Sequence, residues 1–306
     1  MVSLRHDRDF DPRHGEVVEI SAAVRRLTAP NRGPFTWHGT NSYLIGRDEV
    51  AVLDPGPADP DHVRALVAAA GATRISAILV SHTHVDHSPG ARLLKEMTGA
   101  PLVGCGPHRA ARALLPGEIN PLDASADTDY APDRELCGGD SVSVDGLTLT
   151  AVETPGHTAN HLAFALDEGR VLFSADHVMA WSTSIVAPPD GSMSAYMASL
   201  ARLSERNDAS YLPGHGGAVV DPAEYVAGLA AHRQAREKAI LDRLTAGDRT
   251  IPEMVATIYA DVDRSLHGAA ALSVLAQVEW LMERGLVGIA PGETPTLTLG
   301  SRLELP

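Results

Sequence analysis

Lysine is nearly missing from this 306-residue chain: Lys95 and Lys238 are the only two, and arginine makes up the rest of its 25 cations. That bias reads as codon usage rather than as function. The cations are outnumbered by 39 Asp and Glu, which leaves a formal charge of −14. This balance opposes nonspecific adhesion to phosphate backbones or anionic lipid, although a local basic groove is compatible with it. Cysteine occurs twice, at Cys105 and Cys137, without CxxC spacing. Two such thiols build no disulfide framework, and reduced side chains acting as small hydrophobes are expected. No run approaches the ~18 apolar residues of a membrane span. Residues Met1 to Gly15 are crowded with Arg, Asp and His and offer no apolar leader segment, so a cytoplasmic protein with no membrane partner is expected.

What is present is the composition of a globular protein, 44% hydrophobic and 21% charged. The length is about twice the ~150-residue domain prior, enough for one large and one small domain or one elaborate sandwich. Val17 to Val24, Ser42 to Ile45, Val50 to Leu53 and the fully apolar Ile75 to Val80 read as strands. Pro60 to Ala70 reads as a helix ended by Gly71, and another helix starts near Pro89. Leu115 to Leu136 is a long acidic loop interrupted by three prolines. A hairpin around Asp145-Gly146, strands His161 to Leu166 and Val171 to Ser174, helix Met193 to Leu203 and strand Ser210 to Leu212 follow. Two blocks of strands and helices with polar turns at strand ends point to an α/β sandwich with a site along one edge.

Asp221-Pro222 marks the start of a helix that runs to about Thr245, with Tyr225, Val226, Leu229, Ile240 and Leu241 offered for packing on the sandwich. Helices Pro252 to Ala260 and His267 to Arg284 come next, burying Leu275, Val278 and Leu281 within the tail. Leu286 to Ile289 and Thr296 to Leu299 then form a hairpin. This is winged-helix order. Residues 222–306 carry eight Lys/Arg against eleven Asp/Glu, too few cations to meet duplex DNA, so a role in substrate access or oligomer contacts is expected.

The chemistry concentrates in Ser81-His82-Thr83-His84-Val85-Asp86-His87, directly after the apolar strand. Three imidazoles and a carboxylate within six residues are costly to bury unless something binds them, and they are ligands suited to zinc, manganese or iron. Thr154-Pro155-Gly156-His157, Ser174-Ala175-Asp176 and Leu212-Pro213-Gly214-His215 each end a strand on one more ligand-type residue.

The set HxHxDH followed by His, Asp and His resembles the metallo-β-lactamase-fold hydrolases over about residues 16–220. The resemblance implies an αββα sandwich over residues 1–220 and a winged-helix-like domain over 221–306. It implies two divalent ions, zinc foremost and otherwise manganese or iron. His82, His84 and His157 would hold the first ion, Asp86, His87 and His215 the second, and Asp176 would bridge them. Asp54 matches a motif whose Asp supports a histidine ligand. With no cysteine at a ligand position, the cysteine-liganded lactamase subclasses are disfavoured. A bridging hydroxide is then the expected nucleophile, oriented by Asp86.

Gly39-Thr40-Asn41-Ser42-Tyr43-Leu44, Thr154 to Thr158, Thr250 to Met254, Ile258-Tyr259, Leu266-His267 and Leu281 to Val287 resemble the lactamase-β-2-like group with its winged-helix tail. The first expectation is hydrolysis of a small-molecule ester, thioester, lactone or amide, with a homo-oligomer allowed. Metal-dependent endoribonuclease action, the one reading that brings in RNA, and a nonenzymatic winged-helix regulator stand as alternatives. His161 is either a cleft contact or ordinary polar packing, and Trp181 either a pocket wall or a core residue. His177 points away from the site if its strand alternates, and His38 is either a residue of a surface loop, the default reading, or a lining of the cleft mouth.

Overall fold

The computed structural model describes residues 4–116, 118–120 and 123–306. Residues 1–3 of the charged N-terminal stretch, and residues 117, 121 and 122 of the acidic segment, lie outside the described residues.

The first sheet has seven strands in chain order: β1 (Val18–Glu19), β2 (Val24–Thr28), β3 (Asn41–Ile45), β4 (Glu49–Leu53), β5 (Arg74–Val80), β6 (Leu102–Gly104) and β7 (Arg134–Glu135). It is antiparallel from β1 to β4 and parallel from β4 to β7. The parallel steps need crossovers, supplied at first by α1 (Pro60–Ala70) and α2 (Gly90–Thr98). Asp59 caps α1 by accepting from the amides of Asp61 and His62, Pro60 stands in the first turn, and Gly71 at φ 71° closes it. The second sheet runs β12-β11-β10-β9-β8, formed by β8 (Ser141–Val144), β9 (Leu147–Glu153), β10 (Leu162–Leu166), β11 (Val171–Ala175) and β12 (Ser210–Pro213).

One apolar core joins the facing sides of the sheets, with Tyr43, Leu53 and Leu79 of the first on the side of Leu149, Phe164 and Phe173 of the second, Tyr43 packing on Phe173, and with α1 and α2 outside the first sheet. A second core lies on the far side of the second sheet, where α3 (Met193–Ser204) and the start of α4 (Pro222–Ala246) pack. The result is a helix-sheet-sheet-helix sandwich. Among the described residues no helix is long and apolar enough to cross a membrane.

A third core binds the far half of α4 to α5 (Ile251–Ile258), α6 (His267–Glu283) and a small hairpin, β13 (Gly288–Ile289) with β14 (Leu303–Glu304). Leu275, Val278 and Leu281 are buried there.

Four features differ from the sequence reading. Val17 to Val24 is not one strand: Ile20 donates back from its amide to Val24 O, and the chain reverses between β1 and β2 without a Gly or Pro to mark it. The acidic segment is not loop throughout, because Arg134–Glu135 pairs with β6 and Asp133 caps the sheet edge through Leu102 N and Lys95. The wing's second strand is Leu303–Glu304, since the Thr296 to Leu299 stretch forms a turn closed by Ser301 Oγ. Of the residues offered by α4, only its first half packs on the sandwich. Val226 and Leu229 join the second core, while Ile240 and Leu241 serve the third.

Candidate metal centre

The rim of the sandwich is made where β5, β9, β11 and β12 end. β5 is buried and apolar through Val80, so the chain leaves the core abruptly at Ser81. The polar residues that follow are therefore held at the rim of the core. Asp54, one residue beyond β4, sits beside this exit. Its carboxylate accepts from Ser81 N (2.8 Å) and Ser81 Oγ (2.7 Å), and it pairs with His87 Nδ1 (2.9 Å). Asp54 is buried, so this carboxylate fixes the whole turn 81–87.

Across the cleft, Asn41 stitches the two sheets together by donating to Pro213 O and Gly216 O, and Tyr43 OH adds a bond to Pro213 O. Gly214 is required at this crossing: a Cβ there would sit 2.4 Å from Asp176 Oδ1 and 2.6 Å from His87 Cε1. Glycine lets the β12 turn approach the turn after β5 closely enough for their side chains to meet.

The donor atoms converge in two groups. His84 Nδ1 lies 3.1 Å from His82 Nε2 and 2.9 Å from His157 Nε2. His215 Nε2 lies 3.3 Å from His87 Nε2 and 3.2 Å from Asp86 Oδ2. Asp176 stands between them, with Oδ2 3.7 Å from His157 Nε2 and 3.2 Å from His215 Nε2, and Oδ1 3.4 Å from His87 Nε2. His82, His84, His157 and Asp176 thus offer atoms within 4.8 Å of one another, as do Asp86, His87 and His215, and as do Asp54, His82 and His87.

The nitrogens turned away from the cluster are anchored in four of the five histidines. His82 Nδ1 meets Ser81 Oγ, His87 Nδ1 meets Asp54, His157 Nδ1 donates to Ile185 O (2.6 Å) and His215 Nδ1 donates to Gly39 O (3.1 Å). His84 Nε2 is buried with no hydrogen-bond partner among the described residues. Asp86 is the carboxylate that keeps an exposed edge, its side chain 21% exposed, and Thr40 Oγ1 donates to its Oδ2 (3.1 Å).

Electrostatics divides the two groups. Burial pulls His82 well below the ordinary imidazole value and His84 down to about 3, with neighbouring imidazoles adding to the effect, and burial lowers His157 too. In the other group burial acts the same way on His87 and His215, but Asp86 and Asp176 outweigh it. His87 is held well above its ordinary value and His215 is raised to about 10. Burial alone would raise both carboxyls; the facing imidazoles instead hold Asp86 and Asp176 well below the carboxylate range.

The donor set fits divalent cations. The first group consists of imidazoles kept neutral, the state that ligates, and Asp176 Oδ1 is buried with its lone pairs unused by any hydrogen bond. Divalent cations would relieve the lone pairs that these donors aim at one another.

Residues 35–215 match the metallo-beta-lactamase superfamily, and residues 250–289 match the beta-lactamase associated winged helix domain. The chain belongs to the metallo-beta-lactamase superfamily. It is 31% identical over 282 residues to a beta-lactamase-like protein 2 homolog of Caenorhabditis elegans, covering 90% of this chain and 89% of that one. It is 28% identical over 263 residues, 80% of this chain and 74% of the other, to an atrochrysone carboxyl ACP thioesterase of a Cryptosporiopsis species. A solved beta-lactamase domain protein from Burkholderia ambifaria shares the fold with a TM-score of 0.79 at 21% identity, over 99% of this chain and 97% of that one. A metallo-beta-lactamase family protein from Thermus thermophilus does so with a TM-score of 0.74 at 24% identity, over 94% of this chain and 100% of that one. The chain is a hydrolase of this superfamily, and its tail is a winged helix.

The remaining expected residues fall outside the donor groups. His161 is buried behind His82, ring centroids 5.1 Å apart, with Nδ1 on Thr154 Oγ1. His177 is buried against Tyr196, and burial lowers it to about 3. Trp181 stacks on Trp37 at 5.2 Å, and His38 packs on the same indole at 4.3 Å. Other contributors went unread in the sequence. His108 pairs with Thr83 Oγ1 between two ligand-type histidines, and its Nε2 lies 3.7 Å from the buried Asp190. Asn160 donates to Thr83 Oγ1 and to Gly106 O. Only Thr40, within the Gly39 to Leu44 motif, carried any signal; the others are lone polar residues or main-chain carbonyls.

Proposed function

We propose that this superfamily member is a dinuclear metal-dependent hydrolase of a small-molecule ester, thioester, lactone or amide, with a thioester first among them. The observation that carries the reading is the convergence of two donor groups on a shared Asp176. His82, His84 and His157 would hold one ion, Asp86, His87 and His215 the other, with Asp54 fastening His87 from behind. Such ions, zinc foremost, supply Lewis-acid chemistry: they activate a water and polarise the carbonyl to be attacked.

The chain's own residues do the rest. Asp86, with its partly exposed carboxylate, orients the attacking water and takes its proton, passing it toward the leaving group. Thr40 Oγ1 keeps that carboxylate in one orientation. Main-chain carbonyls of Ile185 and Gly39 hold His157 and His215 in the tautomer that presents Nε2 to the cleft. A thioester leads because one relative carries that activity in its name.

The winged helix does not bind duplex DNA in this reading, and its partners are substrate-access or oligomer contacts in a cytoplasmic protein. Four of its eight cations have internal partners. Arg243 pairs with Asp248, Arg284 with Glu237 and Lys238 with Asp242, while Arg236 lies over Tyr259.

Elemental analysis of metal-replete protein, followed by ester, thioester, lactone and RNA substrates, tests this directly. Close to two ions per chain and turnover of an acyl substrate are expected. One ion per chain, or cleavage of RNA alone, would overturn it.

A further inference from the structure

Residues 184–192 wrap around His157. Ile185 O accepts from its Nδ1 (2.6 Å) and Ser192 N donates to Gly156 O (2.9 Å). A Cβ on Gly191 would lie 2.9 Å from His157 O and 2.7 Å from Gly156 O, so the two stretches of main chain are in close contact. A segment packed this closely passes any shift of its own main chain on to the imidazole.

The wrapping segment is gripped at two points, and both grips lead to α6 of the winged helix. At its start the buried Arg233 of α4 donates to Ser184 O, and Gln277 of α6 donates to Arg233 O (3.3 Å). At its middle Pro189 O accepts from Ala111 N (2.8 Å) and Arg112 N (3.3 Å). The Arg112 guanidinium reaches the other way. It forks onto Glu118 at 2.6 and 2.7 Å, and it donates to Glu279 Oε1 of α6 from Nε (3.1 Å) and Nη2 (2.5 Å).

The stretch around Arg112 also touches the turn after β5. His108 Nδ1 pairs with Thr83 Oγ1 (3.1 Å), while Asn120 Nδ2 donates to the buried Asp190, the residue after Pro189. The side chains of Arg112, Glu118 and Glu279 are 27%, 11% and 20% exposed, so this is no solvated surface pair. Burial raises the Glu279 carboxyl even with Arg112 beside it.

We propose that Arg112, clamped by Glu279, is a positioning residue for His157, which makes the winged helix part of the support of the first donor group. The proposal rests on the reading that His82, His84 and His157 hold an ion, and adds to it what sets that ion's affinity. A guanidinium shared by two largely buried carboxylates returns little more in stability than its desolvation costs. What it supplies is one planar, two-sided arrangement that a lysine does not copy. Gln277 and Glu279, both on α6, thereby hold the two grips on the His157 wrapping in register.

In the test, zinc is titrated into the metal-free full chain against a chromophoric chelator, with His84→Ala and His215→Ala showing which step belongs to which donor group. Arg112→Met and Glu279→Met are each expected to weaken the ion of the first group about tenfold and the other by less than about twofold, the size usual for an outlying partner of a ligand. The double variant should lose no more than the worse single one, because both substitutions break one link. Arg112→Lys keeps the charge, guards against a folding defect and should still lose most of that affinity, since an ammonium lacks the fork. Arg243→Gln, which opens an ion pair inside the tail, should leave both affinities within about twofold. Equal weakening of both ions, no weakening of the first, or additive losses would overturn the clamp.

The metal-free protein separates the clamp from the hydrolase reading. There the His157 Nδ1–H is held by Ile185 O, and its exchange with solvent, read by NMR of histidine-labelled protein, should quicken about tenfold in Arg112→Met but not in Arg243→Gln. If zinc binds nowhere, the hydrolase reading fails; quickened exchange then still supports the clamp, and unchanged exchange overturns it.

Discussion

The turn after β5 and the turns after β9, β11 and β12 present the same kinds of donor by different means. The first places His82, His84, Asp86 and His87 within six residues and fastens all but His84 through side chains, above all through Asp54, which meets three groups at once. The second sheet places His157, Asp176 and His215 one to a turn, and both histidines are anchored to main-chain carbonyls. A side-chain hub concentrates vulnerability in one residue. Main-chain anchors spread it over the loops that carry the carbonyls: residue 39 lies beside the Asn41 stitch, and residue 185 lies beside Ser184, whose carbonyl accepts from the buried Arg233 of α4. The winged-helix side of the molecule thereby reaches the first donor group.

The largest test of this contrast is Asp54→Ala. It leaves Ser81 and His87 without their buried acceptor, so metal content should fall below one ion per chain and stability by about 3–5 kcal/mol, the usual loss on breaking a buried pair. Denaturant unfolding together with metal analysis measures both. A variant that keeps two ions would end the idea of a hub.

Within the first turn, Asp86→Asn and His84→Ala should fail differently. Asparagine at 86 can still coordinate but takes up no proton, so kcat should drop about 10²- to 10⁴-fold while much of the metal stays. Loss of His84 should empty or loosen the first site. Parallel losses of metal and activity in both variants would remove the special role of Asp86.

Behind the hub, burial lowers His62 to about 4, and its Nε2 pairs with Ser42 Oγ, which donates to Asp54 O. The unfolded chain takes up this proton near pH 6.5 and the folded one only near 4. The contribution is thus complete above the unfolded value and is lost as pH falls between the two. Wild type should lose about 2 kcal/mol at about pH 5 from this residue, and His62→Gln should flatten that part of the pH–stability curve. An unchanged slope would assign the acid sensitivity to other buried histidines, such as His177.

The smallest expected effect is on the distributed side. Arg233→Gln keeps a donor for Ser184 O but shortens it, so affinity for the ion of the first donor group should weaken about tenfold, as is common when an outlying partner of a ligand is lost. Competition with a chelator, reading the two ions separately, checks it. A loss confined to the second ion would show that α4 acts elsewhere.

The sheet ends were legible where hydrophobicity stops sharply. Ala77 to Val80 is apolar throughout and Ser81 is not, and Pro60 with Gly71 delimited α1 as observed. Short edge strands were not legible, because two residues such as Val18–Glu19 or Arg134–Glu135 carry no periodicity and exist only through their neighbours. The wing's return strand was misplaced for the same reason. The long helix α4 was found whole, but its apolar positions could not say that it serves two cores, since both halves show the same residue types.

What the sequence determined by itself is the chemical inventory: seven ligand-type residues set at strand ends, a −14 charge that discourages phosphate partners, and a tail in winged-helix order. Local pattern suffices for these because hydrophobic runs, turn residues and ligand types are written in adjacent positions. Tertiary structure alone decided which nitrogens face one another, that Asp176 stands between the two donor groups, and that carbonyls of residues 39 and 185 hold histidines 176 and 28 residues away in the chain. It also decided that Trp37 and Trp181 meet. Such contacts join residues far apart in the chain, and their geometry depends on how two sheets pack, a property that no single segment carries.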